Sequence, residues 1–489
     1  VTVSVLYCVI IMLPKCSPIP LVRKMFSEQR ERLAKAMGNP VGEFALYKGG
    51  GDVPRNSSDT CFSWRQESYF FHMFGVEIMD CLGAVDLRSG EGIVFIPRLP
   101  DEYAVWMGAL PTPESVKASS EVEHVYFVDE AAAALKKHGC TALHILDGSN
   151  SDSGIKVAAP SLDAFGDFDV KTERLFLVHT QLRVVKTDLE CAFFGALNKV
   201  ASAAHVQVMQ QCKSDWHENQ LEAAFLSYCM AAAQCKCLAY GGIAASGKGP
   251  AILHYVDNNR KMESGDMVLV DFGGELHCFA SDITCSFPCN GKFTPTQRTV
   301  YEGVLAAHDA VLESLKPGVS WVDMHLLALR TMGRMLRDGL GVIRGDATDE
   351  EIEKSGLMAA FQPHGLGHLI GLEVHDVGGY IDGVTPPRGK TPMTSKLRTA
   401  RTMEENILIT VEPGCYFNQV TLEAALRNAD QSPLLVEDAL RRDEVWNFGG
   451  VRIESNVRIT GAGCLNYTNV PRKVEDIEAV MAGTKAWPQ

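Results

Sequence analysis

Apolar positions follow two rhythms along the chain, and the change between them falls near Leu182–Asp188. Before it, short buried-looking runs such as Gly92–Ile96 and Ala142–Leu146 alternate with helical stretches such as Ala131–His138. Alternation of that kind predicts a small α/β domain, placed here over residues 1–183. After it, Asp188 opens a long stretch with helical spacing and is the expected helix N-cap. Two further helices are expected over Glu218–Ala233 and Thr296–Leu315. The rest of 184–489 is short β runs bounded by glycine turns. This predicts helices packed on one side of a largely antiparallel sheet, so the second domain is α+β. No repeat of 20–50 residues is visible.

Composition narrows the class. At 489 residues the chain is too long for one ordinary core, and 46% hydrophobic with 22% charged residues is ordinary for a globular protein. A net charge of −14 argues against nucleic acid or an anionic membrane as partner, and it means an anionic ligand needs local cations. The 15 cysteines contain no CxxC pair, Cys235 and Cys237 being one residue apart, so they read as reduced, mostly buried thiols of a cytoplasmic protein. Val1–Pro14 is apolar but carries no leading positive charge, and at fourteen residues it is too short to span a bilayer. The first roughly 20 residues read as an apolar extension that stems from a fragment or an imperfect gene model, with a signal peptide as the alternative.

The chemistry concentrates in the second half. Met267–Asp271 runs as a strand into Phe272-Gly273-Gly274, and Cys278–Phe287 runs as another. A hairpin centred near Leu276 and His277 would set Asp271 and Asp282 face to face, which is costly without a cation between them. On these segments alone, two solvated turn aspartates are equally acceptable. Ile407–Val411 is a strand that delivers Glu412 just before Pro413-Gly414. In Gly449–Glu454 the period-2 rule puts Arg452 and Glu454 on one face, either as a surface pair or as an arginine beside a ligating carboxylate. Pro363–His368 and His375-Asp376 hold three of the 14 histidines. The interleaved glycines make a helical zinc site a poor fit and point to backbone packed close to a site. Four carboxylates and one imidazole (Asp271, Asp282, His368, Glu412, Glu454) are the donors that two hard divalent cations take.

In this order the motifs resemble those of the pita-bread metallopeptidases, and among them the eukaryotic prolidases, which are Xaa-Pro dipeptidases. The resemblance covers most of the chain: RQESYFF, FIPRLP, VWMG, NSDSG and VVKTD in the first half, then AILHY, DITCSFPCNGKFT, HGLGHLIG, VHDVGGY, LRTAR and TVEPGCYF. It implies a pita-bread catalytic domain after the α/β domain and two divalent metal ions per subunit, manganese by preference. Asp271 would hold one ion, His368 and Glu412 the other, with Asp282 and Glu454 bridging. It further implies a homodimer acting on dipeptides with C-terminal proline or hydroxyproline. Catalysis is implied for Glu412 as proton carrier, with His364 and His375 stabilising the reacting carbonyl. His254 and Arg398 would grip the dipeptide carboxylate with His375 near them, and Tyr240 and Ile243 would line the proline pocket. Arg452 would stand beside the ligands, and Trp106 would reach the partner's site. Without the resemblance, Arg398 reads as a surface cation in a basic run and Trp106 as a core residue.

Cleaving before proline has its own demands. The bond is a tertiary amide without an N–H to grip, and proline fixes φ, which suits a rigid pocket. A free carboxylate one residue beyond the bond invites a bidentate arginine and excludes longer peptides. Glu454 lies 42 residues beyond Glu412, room for an inserted helical segment of the eukaryotic type. The chain departs from the pattern at Val256–Ser264 (VDNNRKMES), where relatives carry small residues, and at Ser455-Asn456, where aspartate is frequent. The alternatives are an Xaa-Pro aminopeptidase acting on longer peptides, a creatinase-like hydrolase needing no metal, and a catalytically silent binding protein of the same fold.

Overall fold

The computed structural model describes residues 14–488. Most of the expected apolar extension, residues 1–13, therefore lies outside the described residues. The first unit is built on six strands: β1 (Glu43–Lys48), β2 (Leu82–Asp86), β3 (Gly92–Ile96), β4 (His124–Phe127), β5 (Ala142–Ile145) and β6 (Asp169–Lys171), in the order β4-β3-β2-β1-β5-β6. β1, β2 and β3 pair antiparallel, while β4, β5 and β6 join in parallel. Both faces are covered, and the alternation along β1 shows how. Ala45 and Tyr47 pack under the helices Lys24–Met37 and Ser68–Phe74, while Phe44 and Leu46 pack against helix Ala131–Lys137.

The second unit is antiparallel throughout. Its strands are β7 (Cys237–Leu238), β8 (Ile243–Ser246), β9 (Met267–Phe272), β10 (Gly274–Leu276), β11 (Phe279–Ala280), β12 (Ile283–Pro288), β13 (Leu408–Val411), β14 (Gly414–Tyr416), β15 (Gly450–Arg452), β16 (Ser455–Thr460) and β17 (Gly463–Asn466). They pair as β12-β9-β8, β11-β10-β7, β13-β16-β17 and β14-β15. Helices Asp188–Gln211, Glu218–Ala233, Pro295–Ser314 and Trp321–Arg334 bury their apolar faces with these strands in one large core. The stretch between Glu412 and Glu454 holds helix Gln419–Arg427 and two single-turn helices, as its length predicts.

Two local expectations are corrected. Thr187, not Asp188, caps the long helix: its hydroxyl accepts from Glu190 N while the Glu190 carboxylate accepts from Thr187 N at 2.8 Å. The T-x-x-E reciprocity satisfies two orphan N–H groups, where Asp188 as cap would satisfy one. In the hairpin, the turn is His277-Cys278, both with positive φ, one residue further on than expected. Asp271 therefore pairs with Thr284, and Asp282 falls on the diagonal two residues before it, on the same face.

Helix Leu175–Val184 links the two units, and Arg183 in it carries a buried ion pair to the second. The Asp376 carboxylate accepts from Arg183 at 2.6 Å and Lys186 at 2.9 Å, with all three side chains buried. No helix among the described residues is long and apolar enough to cross a membrane. The fourteen described cysteines are free thiols, and most of them are buried.

Candidate metal centre and peptide cleft

A cavity of about 920 Å³ opens over the second unit's sheets, and all five candidate ligands line it. Asp271 comes from β9 and Asp282 from the bend before β12, while Glu412 follows β13 and Glu454 follows β15. His368 comes from a loop locked onto β13, where Thr410 N donates to His368 O, His368 N to Thr410 Oγ1, and Glu412 N to Leu366 O. Gly367 permits this approach, since a Cβ there would collide with the Thr410 carbonyl. The interleaved glycines are thus explained by backbone proximity.

Asp282, His368 and Glu454 each offer a ligand atom, and these atoms lie within 4.8 Å of one another. His368 donates Nδ1–H to Leu369 O at 3.1 Å, which leaves the Nε2 lone pair facing Asp282 Oδ2 at 3.3 Å and Glu412 Oε1 at 3.6 Å. A lone pair directed at carboxylate oxygens is repulsive unless a cation stands between them. Tyr240 Oη sits 2.6 Å from both Asp271 Oδ1 and Asp282 Oδ1, yet has one proton to donate. Burial, and then neighbouring carboxylates, push Asp282 and Glu454 well above the usual carboxylate range. Burial and Glu454 do the same to Glu412. Burial holds His368 down to about 4, so its imidazole is a neutral donor. This set fits divalent cations and is costly without them.

Around the ligands runs a line of hydrogen bonds. Arg452 donates to Asp271 Oδ2 at 2.5 Å, to Thr284 Oγ1 at 3.0 Å and to Tyr416 Oη at 2.9 Å. Thr284 in turn donates to Glu454 Oε2 at 2.7 Å, so Arg452 and Glu454 do share a face. Tyr416 Oη lies 2.9 Å from His364 Nε2, and His364 Nδ1 bonds Gly365 O at 2.7 Å. Burial drives His364 down to about 3, and His364 Nδ1 stands 3.9 Å from Glu412 Oε2. His375 packs edge-on to His368 with ring centroids 4.5 Å apart, and burial holds it down to about 2.

Of the other expected residues, Tyr240, Ile243, His254 and Arg398 line the same cavity. Trp106 does not: it is 84% exposed on the one-turn helix Ala104–Met107, outside its own chain's cleft. Sequence reasoning missed Tyr416, Asp152 and Arg388. Tyr416 shares the parity of Glu412 across Gly414, a period-2 signal that was available. The departing loop after His254 is held by Glu218, which is buried and accepts from Ser246 N, Ser246 Oγ, Tyr255 Oη and Arg260 N. Asn258 in that loop donates to Gly242 O and accepts from Ala244 N, tying it to β8.

The model of metallopeptidase family M24 matches residues 194–461, more than half of the chain. The chain belongs to metallopeptidase family M24. In this M24 metallopeptidase the first unit also matches the aminopeptidase P N-terminal domain, over residues 26–144. The chain is 41% identical to Xaa-Pro dipeptidase from Homo sapiens over 471 residues, 95% of this chain and 94% of that protein. It is 36% identical to a probable Xaa-Pro aminopeptidase from Sordaria macrospora over 436 residues, 87% and 88% of the two chains. Among solved structures it resembles aminopeptidase PepP from Pseudomonas aeruginosa, with TM-score 0.76 at 27% identity over 96% of this chain and 99% of that one. Membership in M24 makes the cleft a metallopeptidase site, and its donor set suits divalent metals.

Proposed function

We propose that this M24 metallopeptidase is an Xaa-Pro dipeptidase, releasing C-terminal proline or hydroxyproline from dipeptides with a pair of divalent ions, manganese by preference. The observation that carries the dipeptide reading is the placement of Arg398 in the same cavity as the Asp282–His368–Glu454 cluster. A guanidinium there, with His254 also lining the cavity, suits a free carboxylate one residue beyond the scissile bond. A longer peptide has an amide at that place.

In this reading Asp271, Asp282, His368, Glu412 and Glu454 hold the ions, which supply Lewis acidity and activation of water. Arg452 keeps Asp271 aimed, and Thr284 keeps Glu454 aimed. Tyr240 and Ile243 wall the proline ring. Glu412, at the edge of the ligand set with His364 Nδ1 3.9 Å from its Oε2, accepts a proton from the attacking water and returns one to the prolyl nitrogen. That nitrogen leaves as a secondary amine. His375, lining the cavity as a neutral imidazole, donates to the carbonyl oxygen as charge develops there, and His364 flanks Glu412. We place the division between the two units between residues 183 and 184, in the last turn of helix Leu175–Val184 and in the stretch between the two family matches. The enzyme is further proposed to be a cytoplasmic homodimer in which the exposed Trp106 covers the partner's cleft.

The test is hydrolysis of Gly-Pro by chelated protein, with and without added Mn²⁺, beside Asp282→Asn. Proline release should require the metal and fall at least about a thousandfold in the variant, and Gly-Pro-Gly should not be split into glycine and Pro-Gly. A folded, Mn²⁺-restored protein that leaves Gly-Pro intact would sink the reading. Cleavage of Gly-Pro-Gly to glycine and Pro-Gly at a comparable rate would favour an aminopeptidase.

A further inference from the structure

One end of the cleft is closed by the first unit. The turn Asn150–Gly154 reaches over the second unit, and Asp152 at its tip lines the cavity. Its carboxylate is divided between two arginines of the second unit: Oδ1 accepts from Arg388 Nη2 at 3.0 Å, and Oδ2 accepts from Arg398 Nη1 at 3.1 Å. The turn is fixed from within, because Asn150 Oδ1 accepts from Asp152 N at 2.9 Å and Ser153 N at 3.0 Å. Gly154 closes it with φ +70°, a conformation that favours glycine. Arg388 is fixed independently: it lies over the Tyr380 ring at 4.3 Å and donates to Leu397 O, which also accepts from Tyr380 Oη at 3.0 Å.

Two guanidinium charges against one carboxylate leave one positive charge unmatched at this end of the cavity, and Lys396 lines it as well. An arginine presents five donors, so holding one edge of Arg398 leaves another for a ligand. With Asp152 at 22% side-chain exposure, its two ion pairs are partly shielded and able to hold geometry.

We infer that Asp152 is a positioning residue for substrate selection: anchored on its turn and on Arg388, it fixes the Arg398 guanidinium across the cleft so that the residual charge meets a dipeptide's C-terminal carboxylate. This rests on the dipeptidase reading and on Arg398 as the carboxylate clamp. The first unit, which supplies no candidate ligand, thereby sets which peptides the second unit accepts. Pre-ordering a flexible arginine lowers the entropy lost on binding, so the effect falls on substrate affinity and not on bond cleavage.

The experiment compares Gly-Pro kinetics of the parent, Asp152→Asn, Asp152→Glu and Arg398→Ala with Mn²⁺ present. Asp152→Asn should raise KM about tenfold with kcat within about twofold, and Asp152→Glu should recover part of the loss. A KM that is unchanged or lower in Asp152→Asn overturns the inference, the latter because the carboxylate would then be competing with substrate. A fall in kcat as large as the rise in KM also overturns it, since it marks general damage to the site. If the parent releases no proline, the dipeptidase reading itself has failed. If the parent is active but Arg398→Ala leaves KM unchanged, the clamp has failed. If both stand and Asp152→Asn is neutral, only the role of Asp152 is lost.

Discussion

Asp376 follows His375 in sequence and faces away from the cleft, into a pair of buried cations. Arg183 and Lys186 both spend their charge on it, and Arg183 also lies 4.6 Å over the Tyr69 ring. Burial opposes the charged form of Asp376, yet the two cations hold its carboxyl below the usual range. Removing the one anion leaves two cations buried without a counter-ion in contact. Asp376→Asn should therefore cost about 3–5 kcal/mol, read as a lower urea midpoint. At this scale the sequence is most informative where a residue's role depends on its own strand. The cleft positions of Asp271, Glu412 and Glu454 were legible because each closes or follows a short apolar run. Asp152 was not, because its partners lie more than 200 residues away and nothing in an N-S-D-S-G turn distinguishes a cleft residue from a solvated one.

At the level of elements, the loop that carries His368 and the strand β13 behave as one piece. A Cβ at Gly367 would collide with the Thr410 carbonyl, and Thr410 Oγ1 accepts from His368 N at 3.0 Å. Gly367→Ala should push this loop off β13, carrying His368 away from Asp282 and Glu454. We expect Gly-Pro hydrolysis to fall at least about a hundredfold and Mn²⁺ affinity, followed by calorimetry, to weaken about tenfold or more. The existence of the strands and helices was legible from periodicity, since both faces of the first sheet and one face of the helices are apolar. Helix ends and strand register were less so. Asp188 and Thr187 are both good caps in isolation, and only the Glu190 carboxylate reaching back selects Thr187. The hairpin register turned on two residues, His277 and Cys278, adopting a left-handed conformation that neither favours strongly.

Among the described residues are several buried neutral imidazoles outside the cleft, and these lower stability as the pH falls. His325 Nε2–H donates to Met393 O at 2.6 Å, and burial holds this histidine down to about 4. Its folded value lies below the unfolded one of about 6.5, so the unfolded chain takes up a proton that the folded chain refuses. Its contribution is thus fully present above about pH 6.5 and declines as the pH falls toward 4, by on the order of 2–3 kcal/mol. His205, likewise held down to about 4, acts in the same direction. Melting temperature should fall steeply from pH 6.5 to 4. His325→Gln, which keeps a donor toward Met393, should flatten that slope while leaving metal-dependent activity in place. The two-unit organisation was legible in the sequence, whereas the contacts that couple the units were not, because they join residues that share no local pattern.

The reach of the Asn150–Gly154 turn over the cleft has a consequence for how such a protein changes over generations. The groups that break the bond and the carboxylate that borders the far end of the cleft are written in separate stretches of the chain. Drift in a five-residue turn can retune the choice of peptide while the hydrolytic machinery is inherited intact.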